Sequence, residues 1–223
     1  NWKLCKKDGH SNSMMHHSPV LVLAPHTDDG ELGCGGLISY YVEQGIEVYY
    51  VAFSNAHISL PPELPKDTLI KEVKSATAVL GIPSENLILF DFPVRHFPAN
   101  RQEILQKMIG LRTKIAPQLI LCPSLSDVHQ DHQTIAQEAL RCFKKQSILC
   151  YEEPWNNITF STNCFVRLEE RHLKCKINAL KCYKSQEHRT YINADSVRSL
   201  AVTRGTQLEG GSADAFEVVR WML

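Results

Sequence analysis

Apolar residues in this chain fall into short unbroken runs, separated by stretches in which they recur every three or four positions. The runs at Val20–Ala24, 46–53, 87–90, 119–122 and Ser147–Tyr151 have strand length, and each ends at a breaker or a polar turn. Between them the helical spacing predicts a helix that ends over 37–44 with Gly45 as its stop. A second helix is capped by Asp67, carries Leu69, Val73, Ala76 and Leu80, and halts at Gly81. Two more are predicted at Arg101–Ile115 and 133–144. The strand runs are continuous rather than alternating, which marks strands covered on both faces. Strands that alternate with helices of this length predict an α/β fold: a Rossmann-like, doubly wound, mostly parallel sheet with helices on both faces. After residue 152 the pattern loosens, and strands at 163–167 and 215–221 with a helix over 169–183 are the expectation there.

The chain has 223 residues, enough for one full-sized domain, expected over 19–223, with the polar stretch 1–18 as a flexible or leader segment outside it. Lys plus Arg and Asp plus Glu both number 24, so a nucleic-acid or anionic-membrane partner is not expected. No run is long enough to span a bilayer, and 1–18 lacks the apolar core of a signal peptide. The eight cysteines include no Cys-x-x-Cys pair, and Cys122, Cys150 and Cys164 sit in apolar runs, where a thiol behaves as a small hydrophobe. That usage fits a cytoplasmic setting.

Two clusters carry chemistry. His26-Thr27-Asp28-Asp29 follows the first strand and leads into Gly33, Gly35 and Gly36. Asp127-Val128-His129-Gln130-Asp131-His132 follows the fourth. Either alone reads as loop polarity or a helix cap. In the common strand order 3-2-1-4-5, however, strands one and four are neighbours, and the crevice between their carboxyl ends is where ligands bind. Two imidazoles and a carboxylate there suit Zn²⁺ with one position left for water, and Asp28 is placed to take that water's proton. The same donors also suit Fe²⁺ or Co²⁺.

These residues resemble the LmbE-like (PIG-L) de-N-acetylases. His26-Thr27-Asp28-Asp29 with Gly33-Cys34-Gly35-Gly36 matches one family signature, and His129-Gln130-Asp131-His132 matches the other. The likeness extends through Leu80-Gly81, Pro93-Val94-Arg95, Lys184-Ser185-Gln186 and the segment from Ala213 to Arg220. It implies His26, Asp29 and His132 as zinc ligands and Asp28 as general base. It further implies His129, in its protonated form, as general acid and oxyanion donor, and Asp131 as the carboxylate that orients a histidine. The implied reaction is hydrolysis of an N-acetyl amide on a small amino sugar or sugar conjugate. Gly30 stands where many members carry Glu.

For substrate contacts, Arg95 and Arg101 after strand three and Asn55 after strand two lie near the sheet's carboxyl edge, and arginine suits a carboxylate or phosphate. Trp155 and Tyr151 are candidates for a sugar-stacking wall or for packing. His57, His172 and His188 read as surface residues. A metal-dependent ester or phosphoester hydrolase and a non-catalytic sugar- or nucleotide-binding module are the competing readings. The oligomeric state stays open.

Overall fold

The computed structural model describes residues 18–222; nearly all of the expected leader at 1–18, with Cys5, lies outside that range. In chain order the elements are β1 (Val20–Ala24), α1 (Asp29–Glu43), β2 (Val48–Ala52), α2 (Thr68–Val79), β3 (Leu87–Leu89), α3 (Arg101–Ile115), β4 (Leu119–Pro123), α4 (Gln130–Cys142), β5 (Ser147–Tyr151), β6 (Cys164–Leu168), α5 (Glu170–Leu180), α6 (Ala194–Gly205) and β7 (Ser212–Arg220). The strands form one sheet in the order β3-β2-β1-β4-β5-β7-β6. Strands β1 to β5 run parallel, while β7 is antiparallel to both β5 and β6. This is the mostly parallel, doubly wound arrangement expected, with the order reversing between β1 and β4.

All five residues of β1 are buried, and they divide between two cores. Val20, Val22 and Ala24 pack under α1, α2 and α5, whereas Leu21 and Leu23 pack under α3 and α4. Full burial of a Val or Leu side chain contributes roughly 1.5–3 kcal/mol, so a polar residue is costly at every position of the strand and no alternation survives. A third, smaller core joins Leu32, Leu173, Ile177, Val197 and Ala201 beneath α6.

Helix α1 runs from Asp29 to Glu43, ending where expected, with Gly45 in the left-handed region (φ 72°) just after it. Two local expectations need correction. Asp67 occupies the N-cap position, but its side chain bonds no backbone N–H; it pairs instead with Lys71 at 2.8 Å. His172 is buried: its Nδ1 accepts from the Glu169 N–H at 3.2 Å and its Nε2 lies 2.5 Å from Glu43. Helix α6 was not anticipated; only Val197, Ala201 and Gly205 of it are buried, too sparse a stripe to announce a helix. The seven described cysteines are free, and among the described residues no helix is long and apolar enough to cross a membrane.

Candidate active site

Adjacent strands β1 and β4 release their following loops at the same edge of the sheet, and the two polar clusters meet there. His26 leaves the end of β1 and Asp29 opens α1, so Asp29 Oδ2 accepts from the His26 backbone N–H at 2.7 Å and lies 3.1 Å from His26 Nδ1. His132, in the first turn of α4, brings its Nε2 to 3.4 Å from both Asp29 Oδ2 and His26 Nδ1. These three atoms converge on one point.

The other nitrogen of each imidazole is already committed. His26 Nε2 lies 3.1 Å from Asp131 Oδ2, and His132 Nδ1 lies 2.8 Å from Asp127 Oδ2. Each carboxylate takes the ring's N–H, which selects the tautomer and aims the remaining lone pair at the convergence point. Asp131 also accepts from the backbone N–H groups of Arg95, at 2.6 Å, and Phe97, at 3.2 Å. Arg95 has a left-handed backbone, φ 69°, which costs an L-residue about 1–2 kcal/mol; the charged acceptor offsets this and fixes the loop across the site.

The electrostatics ask for a cation. Burial alone depresses the His26 imidazolium, yet Asp29 and Asp131 outweigh it and push its pKa up to about 10. Burial works against ionisation of Asp29, but His132 and His26 hold its carboxyl well below the usual range. Glu153, buried beside Asp29, Asp127 and Asp28, is driven well above the carboxylate range, and its Oε1 has no hydrogen-bond partner. Burial and the Asp29 charge push Asp28 up to about 6, against Arg189 and His26. An ion bound at about 2.0–2.1 Å to tetrahedral nitrogen or oxygen donors requires donor separations of about 3.3 Å, which the three atoms above satisfy. The residues fit a divalent ion. Among the described residues, two donor groupings besides that triad are compact enough to hold one: His26 with His129 and His132, and Asp29 with His132 and Glu153.

His129 is the N-cap of α4 and its Nδ1 accepts from the Asp131 backbone N–H at 3.1 Å. That bond requires an unprotonated Nδ1, so the ring is neutral with its proton on Nε2. Burial and the two neighbouring histidines lower its pKa in the same direction. In that arrangement His129 presents Nε2–H as a donor.

Beneath the loop, the hydroxyls of Tyr50 and Tyr183 lie 2.9 and 2.6 Å from the Thr27 carbonyl oxygen and also meet the Glu31 carboxyl. Tyr50 explains Gly30: a Cβ there would run into the tyrosine ring.

A cavity of about 250 Å³ opens over the convergence point, with Asp28, Arg95, His129 and Glu153 in its walls. Arg189, Tyr191, Trp155 and Gln186 complete it. Arg189 escaped sequence analysis; its guanidinium bonds the Tyr191 hydroxyl and its charge acts on Asp28. Glu153 and Asp127 also went without a role, although both follow strand ends at this edge. Trp155 stacks on Tyr191 with ring centroids 3.8 Å apart. Tyr151 is core instead, fully buried with its hydroxyl donating to the Leu23 carbonyl oxygen at 3.0 Å. Arg101 and Asn55 line no part of the cavity. Arg101 pairs with the buried Glu138 of α4, and the Asn55 carboxamide accepts from the His57 N–H at 3.1 Å within its own turn.

Residues 21–143, more than half of the chain, match the model of the PIG-L family, described as GlcNAc-PI de-N-acetylase. The chain belongs to the PIG-L family. Its relatives include the uncharacterized deacetylase YaiS of Escherichia coli K12, 25% identical over 172 residues that cover 74% of this chain and 90% of YaiS. Diacetylchitobiose deacetylase of Thermococcus kodakarensis is 24% identical over 190 residues, 75% of this chain and 69% of that protein. The solved N,N'-diacetylchitobiose deacetylase of Pyrococcus horikoshii superposes with a TM-score of 0.78 at 18% identity, covering 95% of this chain and 87% of that one. The PIG-L match contains both polar clusters, and the structural likeness extends the shared fold across the antiparallel β6–β7 edge.

Proposed function

We propose that this PIG-L protein hydrolyses the N-acetyl amide of an amino sugar or sugar conjugate, releasing acetate and the free amine, and that it does so with one divalent ion, zinc foremost. The convergence of His26 Nδ1, Asp29 Oδ2 and His132 Nε2 beside the carboxylate of Asp28 carries the reading. Those three residues hold the ion, which when bound supplies the Lewis acidity that polarises an amide carbonyl and acidifies a water.

The remaining work falls to the chain's own groups. Asp28 accepts a proton from the attacking water as its oxygen bonds to the amide carbon. The His129 Nε2–H, held outward by the Asp131 N–H on Nδ1, donates a hydrogen bond to the oxygen on which charge develops. The C–N bond then breaks, and the proton held by Asp28 passes to the departing nitrogen. Asp131 and Asp127 act as positioning residues for His26 and His132. Arg95 and Arg189, at the mouth, orient polar groups of the sugar.

Acetate release from N-acetylglucosamine and diacetylchitobiose, before and after metal loading, tests this reading. Metal-dependent acetate release supports it. Ester turnover without amide turnover, or neither at full metal occupancy, contradicts it.

A further inference from the structure

Asp28 is the N-cap residue of α1, so Asp29, Gly30 and Glu31 are the first three helical positions. An Asp at an N-cap ordinarily has an extended backbone and turns its carboxylate onto the N–H two or three residues ahead, here that of Gly30 or Glu31. Asp28 departs from both habits: its backbone lies at φ −105° and ψ −10°, and its side chain caps no backbone N–H. It lines the catalytic cavity instead.

The reason lies in Tyr50 of β2. Its hydroxyl oxygen accepts from the Gly30 N–H at 3.1 Å, the same donor that a capping carboxylate would take. Its proton serves the Thr27 carbonyl oxygen, at 2.9 Å, and the Glu31 carboxyl. One hydroxyl thus joins the backbone on either side of Asp28-Asp29. Gly30 permits this approach, because a Cβ there would run into the tyrosine ring. Tyr183, from the turn after α5, adds a second donor to the Thr27 carbonyl at 2.6 Å. Thr27, Glu31, Tyr50 and Tyr183 are all fully buried, so bulk water does not compete. The three proposed ligands are oriented by other bonds: His26 to Asp131, Asp29 to the His26 N–H, and His132 to Asp127. Asp28 takes its direction from the stapled backbone.

We propose that Tyr50 is a positioning residue for the base: by occupying the Gly30 N–H and holding the Thr27 carbonyl, it keeps Asp28 from capping α1 and leaves the carboxylate turned into the cavity. The role of Asp28 as base rests on the deacetylase reading; the competition for the Gly30 N–H does not.

Tyr50→Phe removes the hydroxyl and keeps the ring. In crystals of the zinc-loaded variant, the Asp28 carboxylate is expected within hydrogen-bonding distance of the Gly30 or Glu31 N–H. With N-acetylglucosamine as substrate, kcat is expected to fall about 10²-fold, the cost of misplacing a reacting group by about 1 Å. KM and zinc affinity stay at their wild-type values. On an Asp28→Asn background the same substitution costs nothing further in kcat, which a general loosening of the loop would not reproduce. Tyr183→Phe, which leaves the Gly30 N–H occupied, loses less. Should Tyr50→Phe fold badly, replacement of Tyr50 by 4-aminophenylalanine, which still donates to Thr27 but accepts poorly, gives the same outcome. An Asp28 carboxylate that stays in the cavity of the Tyr50 variant, equal losses of kcat in the two tyrosine variants, or loss of zinc along with kcat overturns the proposal. A wild-type protein that hydrolyses no amide, with Asp28 moving as described in the variant, removes the deacetylase reading and keeps the hold of Tyr50 on Asp28.

Discussion

Asp127 Oδ2 stands 2.8 Å from His132 Nδ1, with both residues buried, and this one bond decides which nitrogen of His132 faces Asp29. Asp127 also accepts from the His129 backbone N–H at 2.7 Å, so it sets the entry to α4 and the ring direction together. Removing such a carboxylate typically weakens metal binding about 10–100-fold. Asp127→Ala should therefore lower zinc affinity by about that factor in a competition titration against a chelator, and unchanged affinity would show that the ion does not depend on His132 Nε2.

Asp28 lies between two proposed ligands without being one. A positioned base contributes about 10²–10⁴-fold, so Asp28→Asn should cost that much in kcat while bound metal stays at the wild-type level. The two are separated by measuring turnover and metal content on the same preparation. Loss of the metal with the activity would make Asp28 a ligand.

Much of this site was legible because the chemistry sits in two compact clusters, each directly after a continuous apolar run. Val20–Ala24 and the run ending at Cys122 mark β1 and β4, and the common strand order makes them neighbours, as the sheet bears out. Arg189, Tyr191 and Glu153 were not legible, since nothing local distinguishes them from solvated residues. They reach the cavity from the loop after β5 and the loop before α6, in a segment whose apolar spacing is sparse. Arg101 was legible in position but not in partnership: Glu138, on another helix, takes its guanidinium.

The buried Glu31 carboxyl gives stability a pH dependence. Burial, against the hydrogen bonds from Tyr50 and Tyr183, pushes its pKa from 4.5 to about 8. The folded state then holds a proton that the unfolded state releases between those values, so the contribution of Glu31 to stability is fully present below 4.5 and is lost as the pH rises toward 8. A shift of that size corresponds to roughly 5 kcal/mol at most. Glu31→Gln, which cannot ionise, should flatten this slope in urea unfolding at pH 5 and pH 8. An equal slope in variant and wild type would place the titration elsewhere.

Gly33 has no room for a side chain, because a Cβ would run into the Tyr151 ring, which is itself fully buried. Overpacking of this kind costs about 1–3 kcal/mol. Gly33→Ala should lower the urea midpoint accordingly, and Gly110→Ala, where a Cβ meets nothing, serves as the control. Equal midpoints would mean that α1 and β5 are less closely packed than described.

Every role proposed for these side chains depends on where the ion sits. Anomalous diffraction at the zinc edge on zinc-loaded crystals locates it directly. One peak within about 2.0–2.2 Å of His26 Nδ1, Asp29 Oδ2 and His132 Nε2 is the expected result. A peak held by His129 in place of Asp29, or none between these side chains, contradicts it.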